Sequence, residues 1–194
     1  MNVLRAFLAI DISPRIRGQL ETVCQHLEIV LSGLPVRWVP VDNVHLTLKF
    51  LGDVSQTNLA HIHEAVSMAA ALQKPFEMSV GGVGAFPSIH RPRVLWVGVE
   101  TNDDCRALQR RIETDTARLG YAAEKHTFFP HLTLGRVHRT ATLQEVKAIG
   151  KILGTVKQGF LGAARVTEIH LYKSDLKSSG AVYTKFFSVP LSGE

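Results

Sequence analysis

The sequence predicts a mixed helix-and-strand chain folded as one domain, 1–194, of two like halves, with the internal repeat running roughly over 14–100 and 102–190. Three observations carry this. The tetrapeptide His-Leu-Thr-Leu occurs at 45–48 and again at 131–134, 86 residues apart. Ser55 and Thr142, each a helix-capping residue ahead of an apolar 3.6-residue periodicity, lie 87 apart, and strand-like runs open at Val94 and Val182, 88 apart. A common offset is the mark of a repeat, and it relates the two histidines by a pseudo-twofold axis.

Each element follows from local pattern. Val3 to Ile12 is apolar enough for a strand, and Ser13-Pro14 reads as an N-cap and first helical residue. Ile16, Leu20, Val23, Leu27 and Val30 then recur at helical spacing, with Gly33 as a left-handed stop. An extended stretch, Val36 to Val41, enters the first motif; Ser55 starts a helix whose apolar face carries Leu59, Ile62, Val66, Ala69 and Leu72. Strand-like runs at Phe76 to Val83 and Val94 to Val99 flank a Gly/Pro-bearing loop with His90, Arg91 and Arg93. The second half repeats the order: a helix from Asn102 to Leu119 stopping at Gly120, an extended stretch from Tyr121 to Phe129, the second motif, and a helix from Thr142 to Gly154 opened by a Thr142/Glu145 capping box. Strand-like runs at Ala164 to Tyr172 and Val182 to Val189 close the chain.

Composition narrows the class. With 194 residues and 45% hydrophobic content the chain buries a substantial core. Its 22 basic and 17 acidic residues, net +5, suit a polyanionic partner and equally suit simple solubility. Cys24 and Cys105 fall on predicted helices without C-x-x-C spacing, which points away from a disulfide framework and towards a reducing, cytoplasmic setting. Ala6 to Ile10 is too short for a signal-peptide core, and no run approaches the roughly 18 apolar residues of a bilayer span. No membrane association is expected. No coiled coil is evident, so monomer is the default.

The repeated motif carries the chemistry. On a strand His45 and Thr47 share one face while Leu46 and Leu48 share the other, and the same holds for His131 and Thr133 against Leu132 and Leu134. Each motif therefore shows an imidazole and a hydroxyl to one side and anchors itself on the other. Opening a cyclic phosphate by in-line attack needs a base for water and an acid for the departing ribose oxygen on opposite sides of phosphorus. Two histidines titrating near neutrality supply both. Thr47 and Thr133 are candidates to hold phosphate oxygens, and Arg136 to neutralise transition-state charge. Five residues after His131, Arg136 would face away on a regular strand; Gly135 is where a bulge would re-aim it.

With these residues, the chain resembles the two-histidine phosphoesterase superfamily, and within it the RNA 2′,3′-cyclic phosphodiesterases or 2′-5′ RNA ligase-like proteins. The likeness runs through LRAFLAID (Leu4 to Asp11), HLTLKFLG (His45 to Gly52), FPHLTLGR (Phe129 to Arg136) and LYKSDL (Leu171 to Leu176) on through Tyr183 to Leu191. The resemblance implies a bilobal α+β fold with two antiparallel sheets lining a central cleft and helices packed outside. It implies hydrolysis of a terminal 2′,3′-cyclic phosphate to a 2′-phosphate without metal or other cofactor, with reversible 2′-5′ ligation as a side activity. It assigns His45 as proton donor and His131 as proton acceptor, matches Thr47, Thr133 and Arg136 to phosphate-contacting positions, and makes Arg5 and Phe7 candidate nucleotide contacts. The implied partner is an RNA or oligonucleotide with a 2′,3′-cyclic phosphate end.

Other readings stand beside it. A related two-histidine enzyme would take another cyclic nucleotide or a 2′-5′-linked oligonucleotide, and a non-catalytic module would grip RNA in a basic cleft. A metal hydrolase would need ligands that His61 and His63 do not supply, since residues two apart on a helix diverge. A G-x-S-x-G elbow is missing from the sequence. Lys49, Arg91, Arg93, Lys125, Arg139, Lys173 and Lys177 are candidates for an RNA-guiding rim.

Overall fold

The computed structural model describes residues 3–177 and 180–193. Nine strands and four helices follow the order β1 (Val3–Ile10), α1 (Pro14–Val30), β2 (Val36–Trp38), β3 (Leu46–Ser55), α2 (Leu59–Ala71), β4 (Phe76–Phe86), β5 (Val94–Thr101), α3 (Asp103–Arg118), β6 (His131–Val137), α4 (Leu143–Leu153), β7 (Phe160–Val166), β8 (Glu168–Lys177) and β9 (Gly180–Pro190). The fold is α+β. Its strands form one antiparallel sheet in the order β7-β4-β5-β6-β3-β1-β8-β9, with β2 added to β6. Two four-stranded halves meet at the centre through the pairing of Leu46 with Leu132. The two sheets expected from the sequence are thus continuous, hinged at the rung where the two motifs touch.

Local chemistry explains most boundaries. Ser13 caps α1 by accepting from the Ile16 amide, with Pro14 at the first helical position. Asn102 caps α3 in the same way, and Thr142 and Glu145 close a full capping box on α4. Gly33 and Gly120 take left-handed φ of 76° and 93° just beyond α1 and α3. Buried faces run through Ile16, Leu20, Val23 and Leu27 on α1, Ile62, Val66 and Ala69 on α2, and Leu108 and Ile112 on α3. These stripes pack on the sheet: α1 on β7, α2 on β9 and α3, and α3 on β3 and β5.

Four expectations change. Ser55 caps a 3-10 turn, Gln56–Asn58, that precedes α2, and Leu72 is the exposed C-cap of α2 instead of a core residue. The run from Ala164 to Tyr172 breaks at Thr167 into β7 and β8, because the two strands join opposite ends of the sheet. The stretch from Tyr121 to Phe129 forms no strand. In the sheet β5 holds beside β6 the place that β1 holds beside β3, so the spacing between Val94 and Val182 is not a spatial equivalence.

Candidate active site

The central rung positions the site. Leu46 and Leu132 are buried at 1% and 0% exposure, so their neighbours His45, Thr47, His131 and Thr133 face the opposite side of the sheet. By register His45 falls opposite Thr133, and Thr47 opposite His131. The two motifs form a four-cornered polar patch in which each imidazole faces the other motif's hydroxyl.

Matching bulges extend it. On the β1–β3 ladder Ala9 pairs with Thr47 and Leu8 with Lys49, leaving Leu48 unmatched; on the β5–β6 ladder Trp96 pairs with Thr133 and Leu95 with Gly135, leaving Leu134 unmatched. Each extra residue reverses the parity of the residues beyond it. Arg136 consequently pairs with Val94, two residues from Trp96, and shares the face of Thr133 and His131. The bulge sits at Leu134 and not at Gly135. Gly135 is required for a different reason: a Cβ there would lie 3.0 Å from both the Trp38 ring and a Val36 methyl on β2. The same reversal turns Lys49 into the core. It is 3% exposed, salt-bridged to Glu113 of α3 and donating to the Ala122 carbonyl at 2.7 Å, which removes it from the expected RNA-guiding rim.

Both imidazoles are held alike. His45 Nδ1 lies 2.8 Å from the Asn43 carbonyl and His131 Nδ1 lies 2.7 Å from the Phe129 carbonyl. A carbonyl only accepts, so Nδ1 donates in each ring and Nε2 is left for chemistry. Asn43 is itself anchored by donating to the Ala181 carbonyl at the start of β9, at 2.9 Å. Aromatic rings back both histidines: Phe7 stacks on His45 at 4.6 Å with Tyr183 edge-on at 5.4 Å, and Phe86 meets His131 edge-on at 4.8 Å. Phe7 is 3% exposed and also stacked on Tyr172 at 5.4 Å, which makes it the wall behind His45.

Charge distinguishes the two rings. Burial lowers both pKa values from the ordinary histidine range. Against that, the carbonyl bond and the Asp11 carboxylate raise His45, while a charge on His131 lowers it; the Arg136 guanidinium lowers His131 further. Asp11 accepts from Tyr172 Oη at 2.7 Å and from Lys185 Nζ at 2.9 Å, and buried His170 lies 3.5 Å from it. Its pKa stays below the usual value because these hydrogen bonds and cations outweigh its burial. Exposed Arg5 on β1, Arg37 on β2 and Arg136 all act on the Tyr183 phenol, whose pKa burial raises. Asp11, Arg37, Tyr172 and Tyr183 were not singled out from the sequence for this surface. Only cross-strand register brings them there, Arg37 by pairing with Arg136.

Among the described residues no cluster of three or more His, Cys, Asp or Glu is arranged to hold a metal ion; His63 packs edge-on against Phe187 at 4.7 Å. Burial pushes the Cys24 and Cys105 thiols up to about 11, which keeps them protonated and unreactive. Among the described residues no helix is long and apolar enough to cross a membrane.

Comparison with known proteins places this geometry. The family described as LigT like Phosphoesterase matches residues 10–96 and, a second time, residues 97–183. The chain belongs to the LigT-like phosphoesterases, within the two-histidine superfamily. Relatives named RNA 2′,3′-cyclic phosphodiesterase include one from Methanothermobacter thermautotrophicus, 33% identical over 93% of this chain and 95% of its own length. One from Archaeoglobus fulgidus is also 33% identical, over 93% and 96%. Among solved structures, TT0787 of Thermus thermophilus superposes with a TM-score of 0.81 at 26% identity, over 98% of this chain and all of the other. Escherichia coli LigT complexed with 3′-AMP superposes with a TM-score of 0.73 at 27% identity, over 98% and 99%. As a LigT-like phosphoesterase, the chain carries its two motif histidines on the central strands of a fold shared over its whole length.

Proposed function

We propose that this LigT-like phosphoesterase hydrolyses the 2′,3′-cyclic phosphate at an RNA end to a 2′-phosphomonoester, without metal or cofactor, by paired histidine catalysis. The observation that carries the reading is the pair of imidazoles, each tied at Nδ1 to a carbonyl two residues upstream and each facing the other motif's threonine. The names of the relatives that align over nearly the full chain support the substrate.

In this reading His131 Nε2 takes a proton from water as its oxygen bonds to phosphorus, and the P–O3′ bond breaks as His45 Nε2–H protonates O3′. Asp11 beside His45 favours the charged ring that an acid must be, and Arg136 beside His131 favours the neutral ring that a base must be. This gives the donor and acceptor roles a physical basis in the chain's own charges. Thr47, Thr133 and Arg136 hold the phosphate oxygens, and Arg136 neutralises the charge gained in the transition state. Arg5 guides the anionic substrate and Phe7 acts through His45. A 5′-hydroxyl in place of water would reverse the chemistry into 2′-5′ ligation. The chain works as a cytoplasmic monomer. The double match of one family description over 10–96 and 97–183 supports a duplicated origin for the two halves.

The test is phosphomonoester release from a short RNA ending in a 2′,3′-cyclic phosphate, with excess chelator, for wild type beside His45→Ala and His131→Ala. Formation of a 2′-phosphate, reduced by 100-fold or more in either variant, is the expected result (about 10²–10⁴ is the usual contribution of one acid or base). Turnover that survives both substitutions refutes the mechanism.

A further inference from the structure

The two halves depart from symmetry at one place beside the site. In one half β2 pairs with β6, and Val39 N–H donates to the Leu134 carbonyl at 2.8 Å. The residues 86 positions later, Ala122 to Glu124, form no strand on β3. They are held by side chains of another element: the Ala122 carbonyl accepts from Lys49, the Glu124 amide donates to Glu113 at 3.1 Å, and the counterpart carbonyl of Leu48 accepts from the Gln109 amide at 3.4 Å. The space that β2 fills in one half is left open in the other.

That space is a cavity of about 870 Å³ that reaches His131 and Thr47. It lies near the top of the range, about 300–1,000 Å³, in which whole small ligands are bound. Its walls include Phe50, Phe86, Phe128 and Phe129, and its rim includes Arg93 and Lys125. Phe50 and Phe129 are 62% and 53% exposed, whereas Phe7 across the site is covered. The duplicated positions have diverged to match: Phe50 stands 86 residues before Arg136, so one half offers an aromatic ring where the other offers a guanidinium.

We propose that this cavity is the nucleobase subsite, taking the base of the nucleotide that carries the cyclic phosphate against the exposed rings of Phe50 and Phe129, with Arg93 and Lys125 facing the RNA backbone. The inference rests on the phosphodiesterase reading above and gives its substrate an orientation: phosphate on the symmetric motif pair, base on the asymmetric side. Flat aromatic walls suit any base, since stacking is sequence-tolerant. The cationic rim excludes a purely apolar ligand.

The test compares a nucleoside 2′,3′-cyclic phosphate with the same ribose cyclic phosphate lacking a base, as the ratio of their kcat/KM values, in wild type, Phe50→Ala and Phe50→Trp. A ratio that falls at least about fivefold in Phe50→Ala, as loss of one base–aromatic stack gives, and is restored in Phe50→Trp is the expected result. A ratio unchanged by Phe50→Ala, or equal loss on both substrates, overturns the subsite. Calorimetric binding of a nucleoside 2′-monophosphate against ribose 2-phosphate reads the same ratio without turnover. Should wild type bind with that preference yet hydrolyse neither substrate, the phosphodiesterase reading falls and the subsite stands.

Discussion

At the scale of single residues, Asp11 makes the sharpest prediction because it sits behind one histidine and has no carboxylate counterpart behind the other. By strand register its equivalent beside His131 is Gly98. With both rings lowered by burial, the kcat/KM profile of the free enzyme is expected to be a bell centred below about 6.5, the ordinary histidine value. Asp11 raises His45, so Asp11→Asn lowers it further. If His45 is the acid, the high-pH limb then moves to lower pH and the bell narrows, while the low-pH limb belonging to His131 holds still. Movement of the low-pH limb instead would exchange the two roles. The limbs report the coupled pair, so the comparison is of shifts between variants and not of absolute values. Asp11 lies within the opening segment shared with the family, but its place behind His45 depends on Tyr172 and Lys185, more than 160 positions away.

At the scale of elements, the Lys49–Glu113 pair decides whether the segment before β6 stays in place. Lys49 has a 1% exposed side chain and Glu113 a 14% exposed one, and Glu113 also receives the Glu124 amide. Replacing Lys49 with Met strands a nearly buried carboxylate, an effect of about 3 kcal/mol by analogy with broken buried pairs. Lys49→Met with Glu113→Gln should recover most of that loss, since no charge is left unpaired. Equilibrium denaturation of the two single variants and the double variant checks this through a double-mutant cycle. Additive losses would mean that the pair does not act as a unit. The segment it secures presents the Phe129 carbonyl to His131, so Lys49→Met should also weaken activity beyond its effect on stability.

For the whole molecule, buried neutral histidines link stability to pH. His45, His131 and His170 all have folded pKa values below the unfolded one, mainly through burial. The unfolded chain therefore binds protons first as pH falls. Stability is full above about 6.5 and declines as pH drops through the lowered folded values. The melting temperature should fall on acidification from about pH 7 to 5, less steeply in His170→Gln. A flat profile over that range would mean that the three rings charge as easily in the folded protein as in the unfolded chain. A second loss follows at lower pH, where Asp11, whose folded pKa is lowered, takes up its proton.

Features that rest on neighbours along the chain were legible in the sequence alone. The caps at Ser13, Asn102 and Thr142, the apolar stripes of the helices, and the parity that puts His and Thr opposite Leu in both motifs are set within a few residues by backbone geometry and period. Repetition of His-Leu-Thr-Leu added a paired polar patch to these. Everything that depends on which strands lie side by side was settled by the tertiary fold. The bulges at Leu48 and Leu134 show only as skipped partners on neighbouring strands, and they alone turn Lys49 inward and Arg136 onto the histidine face. The open cavity exists because 122–124 is tethered to α3 while β2 joins β6, a competition between a buried ion pair and a strand edge that local pattern does not encode.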